Sequence, residues 1–152
     1  MANPVGLAIY GEYGIGTTES EIEAKIILDK KISKFTLAAN AVYELELEPE
    51  VENNEIEFEG EHQFEFNAAA AYELKKGINL TLESSFKNKI EEGKLEHSAL
   101  FAGLGFSYTK NNYFINFTVL PQIASFKRQS GNGLNLNEFE KGQARILFSY
   151  AL

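Results

Sequence analysis

The chain has 152 residues and a formal net charge of −8 at pH 7, which fits one folded domain over residues 1–152. This acidic balance argues against a nucleic-acid partner, which would need a basic face, and the lack of cysteine excludes disulfides and thiolate metal sites. A helical membrane protein is also excluded, because the longest apolar run, Leu100–Phe106, is far shorter than the roughly 18 residues that a membrane helix needs.

Apolar and polar residues alternate with a period of two along most of the chain, which predicts strands with two unlike faces. The alanine-rich tract Asn67–Tyr72 also permits a helix, but its flanks keep the alternation. We therefore expect an all-β fold of antiparallel strands. In chain order the eight predicted strands are Val5–Gly14, Glu21–Asp29, Phe35–Glu48, Ile56–Leu74, Ile78–Lys87, Ser98–Thr109, Tyr113–Phe126 and Gly142–Leu152.

The predicted connections alternate in length, which is typical of barrels with short periplasmic turns and longer external loops. The short ones are Lys30–Lys34, Lys75–Gly77 and Lys110–Asn112, and the others are mostly longer: Pro49–Glu55, Asn88–His97 and Lys127–Glu138, with Ile15–Ser20 shorter. A soluble barrel that binds an apolar ligand would alternate too, with its apolar face inward, and it is the alternative interpretation.

Aromatic residues on the apolar face concentrate near the strand ends, as interfacial girdles of a membrane protein would. We expect one girdle from Phe35, Tyr72, Tyr108, Tyr113 and Tyr150, and the other from Tyr13, Tyr43, Phe64, Phe86 and Phe139. The polar face is rich in small residues such as Gly103, Gly105 and Ser107, which suit a tight lumen. Together these features favour an up-and-down transmembrane β-barrel of eight strands.

The last strand, Ala144–Leu152, resembles the terminal strand that bacterial outer-membrane proteins present to their assembly machinery. It alternates apolar residues and has an aromatic residue near its end, although Leu152 stands where Phe or Trp is usual. The resemblance implies an outer-membrane location, with membrane lipid (or detergent) and the assembly machinery as partners. Since no secretory signal precedes Val5, we expect the leader to have been removed, or the start to be a recombinant or engineered one.

A second resemblance involves Glu21–Glu44, which is similar to a hairpin of outer-membrane transporters annotated with the meta-pathway of phenol degradation. Those proteins are generally longer than this chain. The resemblance implies a shortened or redesigned transporter-like barrel. The expected function is accordingly a narrow channel, a transporter remnant or a structural scaffold.

Glutamates dominate the polar face, and six of them recur at every second residue on two neighbouring predicted strands. An eight-stranded lumen is only wide enough for its own side chains, so unscreened carboxylates there repel one another. Water reaches them if they lie beyond the roughly 9–11 residues of a membrane crossing. They form either a solvated rim or a weak oxygen-ligand cation site. The six are Glu44, Glu46, Glu48, Glu57, Glu59 and Glu61.

Deeper in the lumen, closure of the barrel would bring Arg145 near Glu12, and we expect a structural polar network that also includes Glu23 and Lys25. No enzyme is predicted and no cofactor is implied. The sequence Glu96-His97-Ser98 is similar to the His and Ser set of lipid A deacylases, but that family spaces the two residues so that they share a face. Here they are adjacent and point to opposite faces.

Overall fold

The structure, a computed structural model, describes residues 4–16, 20–52, 55–91, 93–127 and 133–151. It confirms the predicted all-β fold: eight antiparallel strands form one up-and-down sheet in the order β1 to β8. The tract Asn67–Tyr72 is strand and not helix. The strands are β1 (Gly6–Ile15), β2 (Ser20–Ile32), β3 (Phe35–Glu52), β4 (Glu55–Lys75), β5 (Ile78–Glu91), β6 (Lys94–Lys110), β7 (Tyr113–Ala124) and β8 (Gly142–Tyr150).

Two-residue turns join β2 to β3, β4 to β5 and β6 to β7, at the three short connections that the sequence predicted. Each turn has one residue with a left-handed backbone: Ser33, Gly77 and Asn111 have φ angles of 56°, 79° and 52°. Tight hairpin turns need this conformation, which glycine and asparagine adopt at little cost. At Gly77 a side chain is also excluded, because a Cβ would lie 2.1 Å from the carbonyl oxygen of Thr109.

The predicted loops at the opposite end are wrong in two places. Residues 49–52 and 55 belong to β3 and β4, and residues 88–91 and 94–97 belong to β5 and β6, so these loops are mostly strand. With 18 and 21 residues, β3 and β4 are much longer than the roughly 9–11 residues of a membrane crossing. The alternation of glutamate with apolar residues continues through this region, and the sheet continues with it.

Strand pairing separates the residues into two faces, because directly opposed residues of antiparallel strands point to the same side. The outer face carries the apolar residues and is exposed: Ile9 is 78% exposed and Ile146 75%. The inner face carries the polar residues, and there Thr118 is fully buried and Ser85 is 3% exposed. The chain therefore exposes its apolar face and buries its polar face over β5 to β7.

The sheet curls through half of a barrel, with the polar face on the concave side. Arg145 on β8 contacts Glu83 on β5 across the two strands that separate them, which only a concave surface allows. Every described strand pairs with its sequence neighbour, and within the described residues β1 and β8 are not paired with each other. We call the side of β1 away from β2 and the side of β8 away from β7 the free edges.

Candidate functional site on the inner face

Glu83 is the centre of a hydrogen-bonded group in the middle of the inner face. Its carboxylate accepts hydrogen bonds from Thr118 Oγ1 at 2.8 Å, Thr81 Oγ1 at 3.3 Å and Arg145 Nη2 at 3.1 Å. Gly105 lies between the two threonines, where a Cβ would be 2.3 Å from Thr81 Oγ1 and 2.7 Å from Thr118 Oγ1. The glycine thus leaves room for the hydroxyl groups that hold Glu83.

A small polar chamber of about 140 Å³ adjoins this group. Its walls include Ala38 and Ala69, and its polar groups include Asn40, Asn67 and the Arg145–Glu83 pair. Asn40 and Asn67 are opposed across β3 and β4. The Oδ1 atom of Asn40 is buried without a hydrogen-bond partner in the described part of the chain. The small side chains therefore leave a polar hollow that water can fill.

The predicted network of Glu12, Glu23, Lys25 and Arg145 is divided between two places. Lys25 Nζ lies 2.6 Å from Glu23 Oε1 and over the ring of Tyr10, whose hydroxyl donates to Glu12. Glu12 and Glu23 are directly opposed in β1 and β2. Arg145 is not part of this group, because β8 does not lie beside β1 and its guanidinium binds Glu83 instead.

Four carboxyl groups form what we call the acidic cluster: Glu21, Glu23, Glu44 and Glu46. Strand pairing opposes Glu21 to Glu46 and Glu23 to Glu44. Single carboxylate oxygens of Glu21, Glu23 and Glu44 lie within 4.8 Å of one another. Partial burial, a hydrogen bond with Glu46 and the neighbouring negative charges raise the pKa of Glu44 to about 7. These groups repel one another, as like charges in a partly desolvated site must.

Of the six residues predicted as a cation site, the structure places Glu44 and Glu46 together in this cluster. Glu61 is opposed to Glu46, but its carboxylate is 2.9 Å from Lys89 Nζ. Although burial opposes the charge on Lys89, its hydrogen bond with Glu61 keeps its pKa above the ordinary value. The side chains of Glu48, Glu57 and Glu59 lie outside the described residues.

The participation of Glu21 and Glu23 in the acidic cluster was not predicted from the sequence. Its signal was the alternation Glu21-Ile22-Glu23, which aligns with Glu44–Glu46 once β2 and β3 are joined by a two-residue turn. Lys89 was not predicted either; together with Lys87 it lies at the end of the acidic half of the inner face. Lys89 pairs with Glu61, and Lys87 lies 3.8 Å from Glu140.

Residues 133–141, which we call the inner segment, fold back over β5, β6 and β7. The side-chain amide of Gln122 donates to the Asn135 carbonyl at 3.2 Å and accepts from the Asn135 N–H at 3.0 Å. Asn135 also contacts His97 Nδ1 at 3.2 Å. Residues 133–138 of this segment fall within the loop predicted over Lys127–Glu138. The segment packs onto the sheet because the Gln122 side chain forms hydrogen bonds with the backbone of Asn135, as a neighbouring strand would.

Phe139 of the inner segment is only 6% exposed and packs in an apolar core with Ala99, Phe101 and Leu120. It was predicted in an external aromatic girdle, and that prediction is wrong. Strand parity does not apply to Phe139, which lies outside the strands. The detectable signal was that Phe101 and Leu120 are large apolar residues on the otherwise polar face, and they needed an apolar partner.

Seven of the nine other predicted aromatic residues form ring contacts, and these lie at both ends of the apolar band. Phe35 and Tyr72 have ring centroids 4.9 Å apart, and Tyr113 and Tyr150 are 5.0 Å apart. At the opposite end, Tyr43 lies 5.0 Å from Phe64, and its hydroxyl is 2.9 Å from His62 Nδ1. Further contacts come from Phe86 with Phe126, and from Tyr113 with Phe148.

Comparison with known proteins identifies one family. A family model described as a family of unknown function, DUF6662, matches residues 5–152. No curated protein and no solved structure matches the chain. Within the described residues, no helix is long and apolar enough to cross a membrane.

Proposed function

The chain belongs to the DUF6662 family, whose function is unknown, and we propose that it is an integral β-barrel protein of a bacterial outer membrane. Its polar, acid-rich inner face lines a channel-like lumen. The observation that carries this proposal is the orientation of the two faces. Large apolar side chains of the outer face such as Ile9, Leu82 and Ile146 are exposed, whereas Thr118, Ser85 and Gln122 of the inner face are buried. In water this arrangement is unfavourable, and in lipid it is the favourable one.

Two further features support the proposal. The aromatic contacts Phe35–Tyr72 and Tyr43–Phe64 bracket eight residue steps of β3, close to the roughly 9–11 residues of a membrane crossing. Tyrosine suits such a boundary, because its ring is apolar and its hydroxyl is polar. Glu44, which follows Tyr43, then lies on the inner face just beyond the end of the apolar band, where water reaches it.

The sequence of the terminal strand β8 supports insertion of the chain into this membrane by the assembly machinery. On β8 the outer face carries Ala144, Ile146, Phe148 and Tyr150, the pattern that resembles the signal read by the assembly machinery. We propose that lipid and this machinery are the partners of the chain. The soluble alternative is less well supported, because a carrier of an apolar ligand needs its apolar face turned inward.

Adjacent residues of β3 allow a matched test of the lipid-facing assignment. Ala39 lies on the outer face midway between the two aromatic contacts, and Asn40 lies on the inner face. Ala39→Arg should lower the free energy of unfolding by about 2–4 kcal/mol in lipid vesicles, because a cation near the bilayer midplane is costly. Asn40→Arg should cost much less, since its side chain points to the polar hollow.

Both variants should be compared with the unmodified chain by urea unfolding in phosphatidylcholine vesicles, with tyrosine fluorescence as the signal. Equal losses at the two positions would refute the lipid-facing assignment. So would a chain that is folded, monomeric and β-rich in buffer without detergent. The same Arg substitution at Leu37, nearer the Phe35 girdle, should have a smaller effect than Ala39→Arg.

A further inference from the structure

The free edges of β1 and β8 need a partner if the sheet lies in a membrane. Backbone N–H and C=O groups in hydrocarbon must be hydrogen-bonded, and an open sheet edge is therefore excluded from lipid. In the described residues, β1 is paired only with β2 and β8 only with β7. This inference rests on the proposed membrane location. We propose that the two free edges pair with each other between two copies of the chain, β8 of one with β1 of the other.

The exposure of the inner face supports an open half-barrel over a closed single chain. Tyr10 and Leu147 are inner-face residues, yet they are 43% and 57% exposed. In β5 to β7, by contrast, inner-face residues such as Ser85 and Thr118 are buried. An eight-stranded closed barrel has room only for its own side chains. Here the inner segment, with Phe139, also occupies the concave side.

Strand direction makes the two edges compatible. In an up-and-down sheet with an even number of strands, the first and last strands run in opposite directions. A two-fold rotation about the barrel axis keeps every strand direction and brings β8 of one copy beside β1 of the other as an antiparallel pair. Both seams are then identical, and two half-barrels close into sixteen strands, twice the eight of one chain.

The side chains on the edges are complementary on both faces. The outer face of β8 carries Ile146 and Phe148, and that of β1 carries Leu7 and Ile9, so the apolar band continues across the seam. On the inner face, Arg145 is the single cation of β8 and Glu12 the single anion of β1. Arg145 binds Glu83 through Nη2 and keeps half of its side chain exposed, so its other donors remain available to the partner's edge.

Cross-linking can test this pairing directly, because the chain has no cysteine of its own. An Ile9→Cys chain and an Ile146→Cys chain, carrying tags of different mass, are refolded together in phosphatidylcholine vesicles and oxidised. A disulfide needs Cα atoms within about 7 Å, so it forms only between adjacent strands. We expect a mixed-tag dimer, and Ala144→Cys and Phe148→Cys chains extend the test to neighbouring registers.

The matched control replaces Ile146→Cys by Leu82→Cys, an exposed outer-face position on β5 away from both edges. This pair should give no cross-link above background. In a chain that carries both Ile9→Cys and Ile146→Cys, two-copy closure gives a product of dimer mass. A product of monomer mass would overturn the proposal in favour of a closed single chain. A ladder of higher oligomers, or no cross-link at any of the three registers, would overturn it too.

The proposed membrane location has its own readout in the same samples. If the chain is in vesicles and lipid-dependent but cross-links within one copy, the membrane location stands and the two-copy barrel fails. If the chain stays folded and monomeric without lipid or detergent, both proposals fail. The two failures are therefore distinguishable.

Discussion

The two halves of the inner face differ in composition and packing: one is acidic and open, and the other is covered and packed. Over β1 to β4, alternating glutamates face a concave surface that stays open, and their charges are only partly matched, by Lys25, by Lys31 and by Lys89 on β5. Over β5 to β7, the inner segment covers the sheet, and the core of Phe101, Leu120 and Phe139 excludes water. One sheet can thus combine a hydrated half, in which carboxylates repel one another, with a half whose apolar side chains pack together. The substitutions below should therefore cost most where packing is lost and least where only charge changes.

The largest effect is expected from Phe139→Ala in the packed half. Phe139 is 6% exposed and fills the space between Phe101 and Leu120, so its loss removes buried surface and leaves a cavity. The expected decrease in the free energy of unfolding is about 3–5 kcal/mol. Phe66→Ala is the matched control, because Phe66 is 53% exposed on the outer face of β4. Urea unfolding in detergent micelles measures both, and equal losses would mean that the inner segment is not packed.

A smaller effect is expected from Gly105→Ala, which puts a Cβ against the hydroxyls of Thr81 and Thr118. The expected loss is about 1–3 kcal/mol, because the hydroxyl groups that hold Glu83 must move. Gly11→Ala in the open half is the control, since the nearest atom to its new Cβ is 3.9 Å away. A Gly105→Ala variant as stable as the Gly11→Ala variant would contradict this account of the Glu83 group.

The acidic cluster should make stability depend on pH. The pKa of Glu44 is about 7 in the folded chain, above the ordinary 4.5, so the folded state favours the protonated form. Protonation of Glu44 therefore stabilises the folded chain fully below pH 4.5, and this contribution is lost as the pH rises to about 7 and beyond. In the Glu44→Gln chain, the free energy of unfolding should therefore fall by about 1 kcal/mol less over this pH range than in the unmodified chain, after allowance for solvent screening. Unfolding measured from pH 5 to 8 tests this prediction, with Glu91→Gln at an exposed hairpin end as the matched control.

The smallest effect concerns divalent cations. The oxygen-only ligands Glu21, Glu23 and Glu44 suit Ca²⁺, with millimolar affinity because no geometry is preformed. At pH 8, Ca²⁺ at about twice its Kd should raise the free energy of unfolding by roughly 0.6 kcal/mol. A Glu23→Gln, Glu44→Gln chain should respond much less, and so should a Glu46→Gln, Glu59→Gln chain if the six glutamates predicted as a cation site bind the ion. If all chains respond identically to Ca²⁺, the acidic cluster does not bind the ion and is only a solvated charged surface.

Alternation was enough to predict the strands and their faces, because each residue's side of the sheet follows from its parity. The Phe35–Glu48 segment and its opposed partner Ile56–Leu74 were located to within a few residues. The alternation of residues along a strand does not determine how far the sheet curls. For this reason Arg145 was assigned to Glu12, whereas it binds Glu83 on the concave side of a half-barrel.

The loops were less predictable than the strands for two physical reasons. Polar composition near Pro49 and Asn88 suggested loops, but long hairpins extend through these positions because exposed strand ends tolerate charge. The inner segment has no periodicity, and its position depends on pairwise contacts such as Gln122 with Asn135. Such contacts join residues that are distant along the chain, and no local pattern reveals them.

The neighbour-to-neighbour order of the strands also affects how the chain folds. Each ladder joins segments that are adjacent in sequence, so loop closure costs little entropy and hairpins can form one after another. The Arg145–Glu83 contact is different, because its partners are 62 residues apart. It can form only after β5 to β8 are assembled, and so it belongs to the last stage of folding. Weakening this ion pair should accelerate unfolding while leaving the refolding rate nearly unchanged.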